Sequence, residues 1–152
     1  MWYLIRRWQL LSLLCILPLL AACAQLIVPA GTATDSAMTI VSPKDGATVK
    51  GPTVPVEVAV TNWTLVPAGG PVTEGQGHLH FFIDVPASTV EVGKAIPATA
   101  TNAAYVHLGK EPLTHHDLTL TPGKHTITVV MGNASHIALA RPAPQQITIT
   151  VE

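Results

Sequence analysis

Beyond residue 37, apolar and polar residues alternate along most of the chain, and a period of two predicts strands rather than helices. Met38-Thr-Ile-Val-Ser42 is a short strand that runs into the turn Pro43-Lys-Asp-Gly46. Val54 to Val60 sets Val56, Val58 and Val60 on one face and Glu57, Ala59 and Thr61 on the other. A Gly/Pro-rich loop spans Val66–Gly77, and a strand His78–Val85 follows it. There Leu79, Phe81 and Ile83 point inward, while His78 and His80, at i and i+2, share the opposite face. Tyr105–Leu108, Asp117–Thr121, His125–Met131 and Gln146–Val151 complete the strand candidates, with Ile127, Val129, Met131, Ile147, Ile149 and Val151 inward. The segment 86–104 is rich in Ala, Thr and Pro and has room for one weak strand.

About seven short strands punctuated by turns predict an all-β fold, an immunoglobulin-like antiparallel β-sandwich over residues 38–152. The abundance of Val, Ile and Thr in the strands suits half-buried pleated surfaces. Ile40-Val-Ser-Pro-Lys-Asp-Gly-Ala-Thr-Val49 resembles the first strand of bacterial immunoglobulin-like domains, and Gln146-Ile-Thr-Ile-Thr-Val-Glu152 resembles their last.

The beginning of the chain follows different rules. Arg6 and Arg7 precede an apolar run from Leu10 to Leu20 that is too short for an ordinary spanning helix, so residues 1–22 read as a signal peptide. Leu20-Ala-Ala-Cys23 resembles the lipobox of bacterial lipoproteins. That resemblance implies cleavage before Cys23, acylation of Cys23, and export to a membrane surface facing the periplasm or the cell exterior. Arg6-Arg7 is also similar to a twin-arginine export signal, but Trp8-Gln9 departs from that pattern. Residues 23–37, without periodicity, form a flexible tether between lipid and domain.

Composition narrows the chemistry. Without Arg6 and Arg7, six basic residues face nine acidic ones, a net charge of −3, so no basic surface for nucleic acid is expected. Cys15 leaves with the signal peptide and Cys23 is blocked by lipid, which excludes disulfides, thiolate nucleophiles, iron–sulfur clusters and blue-copper sites. Histidine is the remaining distinctive residue. In the simplest sandwich topology six of the seven histidines gather at one pole: His78, His80, His107, His115, His116 and His136. His78 and His80 start their strand beside the one that leads to His136. His107, His115 and His116 belong to the other sheet unless the Tyr105–Leu108 strand changes sheets. Imidazole suits copper, zinc or nickel, so His78, His80, His136 and His107 are the candidate metal ligands, for copper ahead of zinc. Glu74, Glu111 and Asp117 are candidates to orient them. Met131 has core parity. His125 is expected to bond backbone at the opposite corner, where Asp84 also lies.

The Gly-His-Leu-His-Phe-Phe-Ile-Asp strand (77–84), the Pro-Gly-Lys-His-Thr turn (122–126) and the Gly-Asn-x-x-His loop (132–136) together resemble a family of short bacterial exported domains of unknown function. Leu79 replaces the middle histidine of that family's triplet, and the turn has one proline fewer. Gly-His-x-His is also faintly similar to the copper strand of Cu/Zn superoxide dismutases, but that family's zinc loop and cysteines are missing. No nucleophile elbow, zincin helix or nucleotide loop is present. The expectation is therefore a non-enzymatic metal-binding lipoprotein, anchored in a bilayer through acylated Cys23. The alternative is an envelope module that binds a protein or glycan and uses its histidines structurally, on a solvated strand face.

Overall fold

The computed structural model describes residues 35–86, 89–96 and 104–152. The expected signal peptide, Cys23 and most of the expected tether lie outside the described residues, as does part of the 86–104 segment. Nine strands are present among them: β1 (Ala37–Ser42), β2 (Thr48–Val49), β3 (Thr53–Thr61), β4 (Thr64–Leu65), β5 (Gln76–Ile83), β6 (Tyr105–Leu108), β7 (His115–Thr119), β8 (Gly123–Gly132) and β9 (Gln145–Val151). They form two sheets. One has the order β1-β3-β7, and the other β2-β9-β8-β5, with β4 and β6 both on the far edge of β5. The short pairs β2–β9 and β4–β5 are parallel, and the remaining strand pairs are antiparallel. The architecture is an immunoglobulin-like β-sandwich.

Alternation builds the core. Val54, Val56 and Val58 of β3 are at most 1 % exposed and face Leu79, Phe81, Ile127, Val129 and Met131 from the other sheet. Met131 is therefore packing, as its parity predicts. Gly77 supports this layer, since a Cβ there would sit 2.9 Å from the Met131 sulfur.

Two expectations are corrected. Tyr105–Leu108 does not join the sheet of β3 and β7. It pairs with β5, in the register Leu79↔Leu108, His80↔His107, Phe81↔Val106 and Phe82↔Tyr105. Four residues with apolar positions on both faces suit either sheet edge, and long-range pairing decides between them. The strand expected over 117–121 starts two residues earlier, because β7 pairs with β3 from Glu57↔His115 to Thr53↔Thr119.

The outer face of β5 and β8 is not solvated. Phe82, Tyr105 and Val130 pack there under Ile96 and Ala138, with Val85 and Val90 at the margin. Consequently β5 is buried on both faces from Gly77 to Ile83. The cover comes from the segments before and after the histidine strands. Ala95 bridges Ile137, and Ile96 N–H donates to the His136 carbonyl at 2.6 Å.

At the opposite end, His125 and Asp84 fasten a corner. His125 Nδ1 lies 2.7 Å from Asp84 Oδ2, and its Nε2 is 2.8 Å from the Thr121 carbonyl. Asp84 Oδ1 accepts the Thr126 N–H at 2.8 Å. Asp84 holds φ 57, a left-handed conformation that Asp and Asn tolerate. The Asp84 carboxylate raises the His125 pKa above its ordinary value, with the Thr121 carbonyl adding to the effect. The resulting stabilisation is complete below about pH 6.5 and is lost as pH rises through the elevated folded-state value. Asp84→Asn keeps the backbone conformation and removes the charge. It is expected to cost about 1 kcal/mol at pH 5.5, as partly exposed charge-assisted bonds do, and less at pH 8.5. Urea denaturation at both pH values checks this, and an equal cost at both contradicts the charge-based account.

Candidate metal centre

Two adjacent strands and one loop deliver four imidazoles to the covered outer face. β5 supplies His78 and His80 by its period of two. β6 lies antiparallel beside it and sets His107 directly across from His80. β8 flanks the other edge, with His78↔Gly132 and His80↔Val130 in register, and the loop that leaves it carries His136. That loop is held by Asn133, whose Oδ1 accepts the N–H groups of Ser135 (2.9 Å) and Ile137 (3.0 Å), while its carbonyl accepts His136 N–H at 2.8 Å. His136 adopts φ 59, a left-handed conformation uncommon for a residue with a Cβ. The loop chemistry thus holds this histidine in a turn that returns its ring to the sheet.

The rings are crowded together. The six centroid separations among His78, His80, His107 and His136 run from 4.7 to 5.6 Å. One nitrogen from each can be chosen so that all four lie within 4.8 Å of one another. Metal–nitrogen bonds of about 2.0–2.1 Å place tetrahedral ligands about 3.3 Å apart. His136 Nε2 and His107 Nε2 are already 3.2 Å apart. Two glycines make room for the cluster. A Cβ on Gly132 would stand 2.7 Å from His80 Nε2, and one on Gly109 would stand 2.6 Å from His107 Nε2.

Electrostatics sharpen the picture. His78 and His80 are 0 % exposed, while His107 and His136 are half-buried and form the open side. Burial, followed by repulsion from neighbouring imidazoles, lowers the His78 pKa to about 4 and that of His80 to about 2. Burial and His136 lower that of His107. These three rings are neutral at pH 7, the state a ligand needs. His80 Nδ1 is 3.0 Å from the Tyr105 hydroxyl. Both nitrogens of His78 and Nε2 of His80 are buried without a hydrogen-bond partner. Each such group costs on the order of 1–3 kcal/mol. Three in one place is a large sum for a fold whose net stability is of order 5–15 kcal/mol. Ring nitrogens gathered within 4.8 Å of one another, some of them without a hydrogen-bond partner and with no carboxylate or thiolate among them, are a group that could hold a transition-metal ion.

The structure brings together His78, His80, His107 and His136 but not His115 or His116, so four histidines converge rather than six. His115 Nε2 pairs with Asp117 Oδ1 at 3.1 Å on the second sheet. His116 turns edge-on to Phe81, centroids 6.4 Å apart, and burial lowers its pKa. The carboxylates considered as orienting groups have other places. Asp117 holds His115, Glu111 accepts the Leu113 N–H at 3.3 Å, and Glu74 is exposed. Sequence reasoning missed Tyr105, the group that does contact a cluster ring. Its parity with His107, two residues away on the same strand, was the available signal.

No curated protein matches this sequence. Among solved structures, fibronectin(III)-like modules of Clostridium thermocellum CbhA are similar at 13 % identity and TM-score 0.44, over 76 % of this chain and 96 % of theirs. An engineered protein is similar at 16 % identity and TM-score 0.43, over 78 % of this chain and 20 % of its own. A family model described as a domain of unknown function, DUF4399, matches residues 56–152, which include all four clustered histidines. The chain belongs to the DUF4399 family.

Proposed function

We propose that this protein is an exported lipoprotein whose β-sandwich holds one transition-metal ion through His78, His80, His107 and His136. The observation that carries the reading is the convergence of four ring nitrogens within 4.8 Å, where His78 and His80 together have three buried nitrogens with no other partner. An ion would enter from the side of His107 and His136. Copper ranks ahead of zinc, because a given nitrogen site binds Cu(II) more tightly along the first-row series. The role is binding and carrying the ion outside the cytoplasm, without catalysis.

Isothermal titration of the domain with Cu(II) and Zn(II) tests the reading. One equivalent of Cu(II) is expected to bind with a Kd below about 10 μM, about −7 kcal/mol, and to displace Zn(II). His80→Ala should weaken binding at least about 100-fold, close to 2.7 kcal/mol. Gly132→Ala, which pushes a methyl into His80, should weaken it at least about tenfold. His115→Ala/His116→Ala should bind as the wild type does. Absence of binding in the wild type, or equal binding by His80→Ala, contradicts the site.

The lipid anchor rests on Leu20-Ala-Ala-Cys23 and on the signal-like run before it. Cells expressing the full chain are expected to incorporate labelled palmitate into it and to retain it in the membrane fraction. Cys23→Ser should abolish both. A Cys23→Ser protein that stays labelled contradicts the anchor.

A further inference from the structure

Tyr105 touches the cluster without belonging to it. Its side chain is 5 % exposed, and its ring stacks on His80 with centroids 6.0 Å apart and planes inclined by 20°. Phe82 packs against it at 5.2 Å. The phenol oxygen sits 3.0 Å from His80 Nδ1. A tyrosine phenol, with an ordinary pKa of about 10, is neutral at pH 7.

A hydrogen bond to one ring nitrogen decides what the other can do. If the phenol donates to Nδ1, the imidazole proton sits on Nε2. That N–H is then buried without an acceptor and aimed at a crowded set of imidazoles. If Nδ1–H donates to the phenol oxygen, the buried Nε2 keeps a lone pair that no hydrogen bond occupies. Only the second arrangement makes His80 a ligand. The remaining surroundings of Nε2 are fixed, because Gly132 leaves just enough space for it and a Cβ there would meet both Nε2 and Cδ2.

We infer that Tyr105 is a positioning residue: its hydroxyl accepts His80 Nδ1–H, locks the Nδ1–H tautomer, and so keeps Nε2 open for the ion. The inference rests on the metal-binding reading for its purpose but not for its geometry. It also accounts for the lack of an orienting carboxylate. A neutral phenol orients the ring without adding negative charge to a buried site, so the cluster stays an all-neutral donor set.

Nitrogen-15 NMR of the metal-free protein reads the tautomer directly. His80 is expected as the Nδ1–H form in the wild type, and as a mixture or the Nε2–H form in Tyr105→Phe. Titration with Cu(II) should show affinity lowered about 10- to 100-fold in Tyr105→Phe, the usual effect of losing a group that orients a ligand. Phe82→Leu loosens the same packing but keeps the hydroxyl. It should lower stability while leaving the His80 tautomer unchanged, which separates positioning from packing. An Nε2–H His80 in the wild type overturns the inference whether or not Tyr105→Phe folds, as does a Tyr105→Phe protein that binds Cu(II) like the wild type. A wild type that binds no ion overturns the metal reading instead, and the tautomer measured without metal keeps the two failures distinct.

Discussion

Strand β5 is buried on both faces, and the two faces are buried for different reasons. Leu79, Phe81 and Ile83 enter the core between the sheets, where apolar contact with β3 and β8 drives association. His78 and His80 enter a second, smaller enclosure under Ile96 and Ala138. Imidazoles placed there lose water and regain a single hydrogen bond, from His80 to Tyr105, which is unfavourable unless something else binds their remaining nitrogens. The pairing of β6 to the free edge of β5 and the left-handed turn at His136 both add nitrogens to that same spot. The arrangement is strained as a purely structural device and economical as a metal site.

The two ends of β5 show how differently histidine is treated in one fold. At the far end, His125 has a partner for each nitrogen, in Asp84 and the Thr121 carbonyl, and its pKa rises. It behaves as a corner fastener, and nothing about it calls for a ligand. At the near end, His78 and His80 are pushed toward the neutral form, with one hydrogen bond between them, to a phenol. The same residue type in the same strand pair serves stability in one place and, on the proposed reading, supplies a donor set in the other. The surrounding partners, not the residue, decide which.

The period of two made much of this legible in advance. It assigned the core faces of β3, β5, β8 and β9, excluded Met131 as a ligand, and set Asp84 and His125 at the same corner. It placed His78 and His80 side by side, and strand adjacency brought His136 near. The sheet to which β6 belongs was not legible, because Tyr105-Val-His-Leu108 carries no signal for its pairing partner. His107 depended on that choice. Burial of the histidine face was also missed, although Phe82 and Val130 share its side and are large and apolar. Hydrophobic residues on the supposedly solvated side of two neighbouring strands signal a cover. His115 and His116 lie on the second sheet, where the simplest strand assignment had already put them, and so stay away from the cluster.

The central claim is that these four imidazoles close on a single ion. X-ray absorption at the copper edge of the loaded domain tests it most directly. The account predicts a first shell of nitrogen only, at about 2.0 Å, with outer-shell scattering from four imidazoles. A shell dominated by oxygen, a sulfur scatterer from Met131, or fewer than three imidazoles would contradict it.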